Sequence, residues 1–261
     1  MKDRLIIHSV SKAFRILEFV GGSPTGYTLT QLVRSLNMSI GAAQRFTRTL
    51  AALQYLYKDP KTKTYRLAPK IFQFGFSFLN QSEIREIALP YLRQLNEDLD
   101  EVVNLGVMIS DEEIVYIERI DKTSHILTTN LRVGSRRPIH LNSVGKVILA
   151  FLPEGDQRRI LDHLYSDKFR GRDSTGENKL LAQLQDIRRR GYSANKSDLF
   201  KDILALAAPI LNHQGLPVAG INIVIPRRIP PDQIKRKYLP ALIETGKNIS
   251  MALGHTKERV R

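Results

Sequence analysis

Thr28-Leu-Thr-Gln-Leu-Val-Arg-Ser-Leu36, Asn37-Met38 and Ser39-Ile-Gly-Ala-Ala-Gln-Arg-Phe-Thr-Arg-Thr-Leu-Ala-Ala-Leu53 are the residues on which the fold turns. In the first run Thr28 and Gln31 have capping-box spacing, the hydroxyl serving an exposed N–H and the amide reaching back. Leu29, Leu32, Val33 and Leu36 follow at helical intervals and supply that helix with a buried side. Asn37-Met38 is a short break, after which Ser39 is placed to cap another helix. There Ala43, Phe46, Leu50 and Leu53 form the inward stripe, leaving Gly41, Gln44, Arg45, Thr47 and Arg48 outward. Two short helices across a tight turn are a helix-turn-helix, and no acid occurs over residues 39–58.

Upstream, Val10, Ala13, Phe14, Leu17 and Val20 form an apolar stripe ended by Gly21-Gly22, so an amphipathic helix precedes the pair. Downstream, Tyr55–Lys58 and Thr64–Leu67 flank the turn-rich Asp59-Pro-Lys-Thr-Lys63, a β-hairpin pattern. Three helices and then a hairpin is the order of a winged helix. In that setting Gln44, Arg45 and Arg48 match adenine and guanine edges or phosphates, and the Ser39–Gly41 helix start attracts a phosphate. Lys61 and Lys63 would lie along the duplex backbone. A solvated helix face and turn lysines explain the same residues more blandly; charge tips the balance. Residues 1–80 carry 12 Lys/Arg against 3 Asp/Glu, whereas residues 81–261 carry 28 against 23. A chain of net charge +14 thus concentrates its excess in the first third, as an electrostatic footprint on nucleic acid requires.

The same sequence narrows the other classes. Cysteine is absent, which excludes disulfides and thiolate chemistry. There is neither an apolar leader pattern nor a run of 18 apolar residues, so a cytoplasmic protein is expected. His8, His125, His140, His163, His213 and His255 show no metal-ligand spacing, and Gly145-Lys146 is followed by Val147 rather than the Ser/Thr of a P-loop. No metal, cofactor or catalytic residue is therefore expected. Glu112-Glu113 and Asp98-Asp100-Glu101 are candidate acid/base pairs, but acids at a turn and a helix end are ordinarily solvated surface.

Pro69 can begin a connecting helix in which Ile71-Phe-Gln-Phe-Gly-Phe-Ser-Phe-Leu79 places apolar residues on more than one face. A linker helix that also packs on a second copy would use both faces, and two half-sites require a dimer. A buried helix of the following domain is the alternative. Beyond it the chain is mixed α/β. A helix is expected from Glu86 to Leu99, and strands at Val103–Ile109, Ile114–Ile120, Ile126–Leu131 and Pro138–Leu141. Helices follow near 143–151, 154–164 and 177–190, then strands at Leu204–Leu211 and Val218–Ile225 and a final helix from Pro231 to Leu253.

Ser11-Lys-Ala-Phe-Arg-Ile-Leu-Glu18, Thr28–Val33, Gln44–Leu53 and Thr64–Leu67 together resemble the winged-helix half of the IclR-type bacterial transcription regulators. The similarity continues through Ile87–Leu92, Val133-Gly-Ser-Arg-Arg-Pro-Ile-His140, Gly145–Ala150, Arg190-Gly-Tyr192 and Ala207-Ala-Pro209. Ala42–Phe46 and Pro69–Gly75 look closest to the branch governing aromatic-acid and β-ketoadipate catabolism. The resemblance implies an α+β chain with three parts: a winged helix-turn-helix over 1–68, a linker and dimerisation helix over 69–84, and a GAF-like effector-binding and oligomerisation domain over 85–261. It implies that the amides of Ser143 and Val144 hold an organic-acid effector, with Asn195, Ile203, Ala205, Asn222 and Val224 lining the pocket. Asn195 stands where the family often has an acid, and Asp202 where it usually has glycine. The expected partners are operator DNA, a small carboxylic acid and a second copy of the chain, as a homodimer or tetramer. The competing class is a metabolite-processing enzyme with an appended basic module.

Overall fold

In a computed structural model, described for residues 5–121, 131–166, 174–196, 203–226 and 228–256, the chain divides into two compact units, Met1–Gln81 and Ser82–Arg261. The first contains α1 (His8–Gly21), β1 (Tyr27–Thr28), α2 (Leu29–Leu36), α3 (Ile40–Ala52), β2 (Leu56–Lys58) and β3 (Thr64–Leu67). The capping box forms: the Thr28 hydroxyl accepts from Gln31 N–H at 3.4 Å, and Thr28 N–H donates to Gln31 Oε1 at 2.8 Å. Asn37, left-handed at φ 51°, ends α2, and Ser39 caps α3 by accepting from Ala42 N–H. The hairpin pairs Leu56 with Leu67 and Lys58 with Tyr65, and the short β1, not anticipated from the sequence, adds a third strand against β3.

Three expectations about the inward faces are corrected. Val10 and Phe14 are exposed, and Ile16, Leu17 and Val20 form the buried part of α1. Leu53 is half exposed at the end of α3. Thr47 is fully buried rather than outward, because Ala43, Thr47 and Leu50 share one face of the helix. Its hydroxyl donates to the Ala43 carbonyl at 2.9 Å, which satisfies the polar group inside the core. After a 3₁₀ turn at Pro69–Ile71, α4 (Phe72–Gln81) leaves Phe72, Phe74, Phe76 and Phe78 more than half exposed.

The second unit opens with α5 (Glu83–Leu99), followed by β4 (Val102–Met108), β5 (Glu113–Ile120), β6 (Arg136–Pro138), α6 (Ser143–Phe151), α7 (Glu154–Leu164) and α8 (Ser174–Arg190). It continues with β7 (Ser193–Lys196), β8 (Ile203–Leu211), β9 (Pro217–Pro226), α9 (Pro231–Gln233), a π-helical turn at Ile234–Tyr238 and α10 (Leu239–Ala252). Six strands pair antiparallel in the order β6-β5-β4-β9-β8-β7. The last strand before α6 is Arg136–Pro138 rather than Pro138–Leu141; Asn142 turns the chain at once by capping the helix. Strand β7 was not anticipated. The strand expected at Ile126–Leu131 lies, Leu131 excepted, outside the described residues, as does Asp202.

Strand pleating sends alternate side chains to opposite faces. α10 covers one face, where Gly246 sits against Ala208 and Pro209. α5 lies on that face too, its Arg85 bonded to Glu118 at 2.7 Å. α6 covers the other face over the paired Gly106 and Gly220, where a Cβ would meet Val144 or Val147 at 3.0 Å. α7 and α8 continue the α6 side around a core of Ile148, Leu149, Ile160, Leu161 and Leu184.

Candidate functional site

The structure brings the expected site residues together in two groups, of which the second is largely buried and touches an open cleft only through Asn195. The first lies on α3 and the hairpin. Ser39, Gly41, Gln44, Arg45 and Arg48 are all exposed, and among the described residues no ion pair engages either guanidinium. Gly41 stands in the first turn of α3, and a Cβ there would meet nothing within 4 Å. Packing within the unit does not demand this glycine, so its smoothness is available to a partner that approaches the backbone closely. Lys61 and Lys63 are exposed at the hairpin tip. Asp59 organises that tip: its Oδ1 accepts from Lys61 N–H at 2.8 Å and Thr62 N–H at 3.0 Å. Those amides, first Thr62 and then Lys61, hold its carboxyl below the usual range, with Arg66 3.9 Å away adding to the effect. The acid is thus turned inward on its own loop while the two lysines project.

The second group converges on the α6 face of the sheet. β9 carries Asn222 and Val224 two residues apart, hence on one side; β8 places Ala205 opposite Val224, and β7 places Asn195 opposite Ala205. Ile203 continues that side of β8. Ser143 and Val144 open α6 above them, both buried. The helix start is tight: a Cβ on Gly145 would lie 2.0 Å from the Ile139 carbonyl oxygen, which is why glycine follows Val144. Asn142 Oδ1 accepts from Gly145 N–H at 2.7 Å, so the cap serves that amide rather than those of Ser143 and Val144. Asn195 donates to the Leu141 carbonyl at 2.7 Å and accepts from Lys146 Nζ at 3.1 Å. An open cleft of about 550 Å³ adjoins it, lined by Leu141, Lys146, Lys179, Gln183, Arg190 and Asn195.

Several polar residues at these places were missed in the sequence. Asn104 and Arg119 reach the α6 face: Arg119 Nη1 donates to Asn104 Oδ1 at 3.3 Å, and Asn104 Nδ2 to Asn222 Oδ1 at 2.9 Å. Only their shared face, set by strand register, distinguishes them from surface residues. Tyr116, on the same face, is pushed up to about 12 chiefly by burial. Glu101 is a correction to the view that the acids after α5 are solvated, since it is 3% exposed. Burial, with Asp100 beside it, raises its carboxyl to about 7, and its Oε2 has no hydrogen-bond partner. Among the described residues no cluster of three His, Asp or Glu could hold a metal.

Comparison with known proteins agrees with both halves. Residues 9–60 match the model of the IclR helix-turn-helix domain, and residues 76–251 that of the bacterial transcriptional regulator IclR C-terminal domain. The HTH-type transcriptional regulator KdgR of Dickeya chrysanthemi is 27% identical over 249 residues, 95% of this chain and 81% of its own. Pca regulators of Pseudomonas putida and Acinetobacter baylyi are further relatives. IclR of Thermotoga maritima, a crystal structure, is 26% identical with a TM-score of 0.66 over 96% of this chain and 100% of its own. An IclR homolog of Microbacterium hydrocarbonoxydans, crystallised with 4-hydroxybenzoate, shares the fold at 21% identity and a TM-score of 0.73, over 94% of this chain and 98% of its own.

Proposed function

Because the chain belongs to the IclR family of bacterial transcriptional regulators, we propose that α3 is the recognition helix through which it reads an operator. Gln44, Arg45 and Arg48 meet base edges and adjacent phosphates in the major groove; Ser39 and Gly41 let the helix start approach a phosphate, and Lys61 and Lys63 hold the backbone. The observation that carries this reading is the acid-free exposed face of α3 beside a basic hairpin tip. The matched relatives are named as regulators, so an enzyme with an appended basic module is the poorer account.

The exposed phenylalanines of α4 favour a homodimer, with Phe72 and Phe76 on one helical row and Phe74 and Phe78 on another. A dimer spans two half-sites about 34 Å apart or a multiple of that; pairing through the second unit would extend it to a tetramer. We infer a cytoplasmic location from operator binding; among the described residues no helix is long and apolar enough to cross a membrane.

In the second unit a small carboxylic acid binds at the amides of Ser143 and Val144, in a pocket lined by Asn195, Ile203, Ala205, Asn222 and Val224. An aromatic acid is the favoured class, as with the 4-hydroxybenzoate of the Microbacterium homolog. Such a ligand alters operator binding only as far as it binds two arrangements of the dimer unequally. A thermal-shift screen of aromatic and keto acids tests the reading, because a ligand of the folded state raises the melting temperature by mass action. An acid that raises it and also changes operator affinity is expected. A panel in which none does either overturns the effector assignment.

A further inference from the structure

The polar side chains on the α6 face form a chain with a fixed direction. Arginine has donors only. Arg119 Nη1 therefore donates to Asn104, which orients that amide with Oδ1 toward the guanidinium and Nδ2 toward Asn222. Asn104 Nδ2 donates to Asn222 Oδ1 at 2.9 Å, so Asn222 in turn presents its Nδ2 to the start of α6, where it lies 3.5 Å from Ser143 Oγ. Asn104 and Asn222 are register partners on neighbouring strands, and Asn104, Asn222 and Ser143 are each at least 98% buried. A half-turn of Asn104 would direct its N–H at the guanidinium and its Oδ1 at that of Asn222, and a half-turn of Asn222 would set its N–H against the N–H of Asn104. Arg119 is itself held, its Nη2 on Asp121 Oδ2 at 2.6 Å, with its side chain 11% exposed.

We propose that Arg119, acting through Asn104 and Asn222, fixes the α6 end of this face as a donor surface and thereby selects an ionised carboxylate over the matching uncharged carboxamide. The donors at that end are Asn222 Nδ2, the Ser143 hydroxyl, whose oxygen lies 3.5 Å from it, and the Ser143 and Val144 amides. A carboxylate offers acceptors only and satisfies such a surface. A carboxamide must turn its NH2 toward at least one donor, and the unmet group is costly when buried. Arg119 is thus a positioning residue, two side chains removed from the ligand. The inference rests on the reading of this face as the effector site.

The test measures binding of 4-hydroxybenzoate and 4-hydroxybenzamide to the full chain by calorimetry, in the wild type and in Arg119→Met, Arg119→Lys and Asn222→Asp. The wild type is expected to favour the acid by at least about tenfold, the size of one charge-assisted hydrogen bond. Arg119→Met frees both amides to turn and collapses that preference, while Arg119→Lys, still a donor alone, restores it. Asn222→Asp puts an acceptor at the α6 end and reverses the preference toward the amide; this variant keeps the question answerable should Arg119→Met not fold. Acid binding with the preference unchanged in Arg119→Met or Asn222→Asp overturns the relay and leaves the effector site standing. A wild type that binds neither probe, nor any acid of the wider panel, overturns the effector site and the relay with it.

Discussion

Glu101 makes stability depend on pH in a direction opposite to that of an ordinary paired carboxylate. Its carboxyl lies just beyond the end of α5, buried, with one oxygen 3.5 Å from the Tyr238 hydroxyl and the other without a partner. Burial and neighbouring Asp100 raise it from 4.5 to about 7, against the smaller opposing influences of Tyr238 and Lys237. Between those values the folded chain holds a proton that the unfolded chain has released, so folding weakens as pH rises. The contribution is complete below about pH 4.5, declines through the interval and is gone once pH passes the folded value. At ~1.4 kcal/mol per pH unit the whole interval, from 4.5 to about 7, corresponds to roughly 3–4 kcal/mol, of which an experiment between pH 5 and pH 8 reads only a part. Glu101→Gln keeps the shape of the protonated acid and cannot ionise. Urea unfolding at pH 5 and pH 8 should find the variant close to wild type at the lower pH and more stable by about 2 kcal/mol at the higher. The difference between the two proteins cancels the titration of the other carboxylates. A difference that is flat with pH, or that grows toward acid, would refute the argument.

Other substitutions probe separate parts of the molecule. Gly41→Ala removes a helix-breaking residue from a position with free space, so the melting temperature should rise, by up to about 1 kcal/mol of stability, while operator affinity falls; a rise in both would remove Gly41 from the interface. Thr28→Ala deletes one half of the capping box and should cost ~0.5–2 kcal/mol in chemical denaturation. Phe76→Glu should weaken self-association roughly 10–100-fold in sedimentation, the scale of burying one large apolar side chain, and an unchanged association constant would exclude this face from the dimer.

Much of this architecture was legible where local chemistry speaks alone. Thr28 and Gln31 sit three residues apart and do what that spacing predicts, and Asn142-Ser143 begins a helix as expected. The helix-turn-helix, the hairpin and the order of elements in the second unit follow from the same kind of signal. Failures occur where tertiary context decides. Thr47 is polar but buried, because its hydroxyl can return to its own helix; Val10 and Phe14 belong to an apolar stripe that the core uses only from Ile16 onward. Strand β7 is four residues long, and its place beside β8 depends on partners far away in sequence. The candidate effector residues scatter from Ser143 to Val224, and only antiparallel register brings them to one face. Asn104 and Arg119 were invisible for that reason, each an ordinary polar residue in a strand until its neighbour is known. Glu101 looked like a surface acid because two other acids precede it within three positions.

Selection of duplexes from a randomised pool, followed by anisotropy titration of the enriched site over a range of salt concentrations, tests the recognition role of α3 most directly. The full chain should enrich a two-fold related sequence, and log affinity should fall linearly with log salt. Arg45→Ala and Arg48→Ala, with unchanged melting temperatures, should each lose ~1–3 kcal/mol on that site. Affinity that is indifferent to both substitutions in well-folded protein would contradict the account.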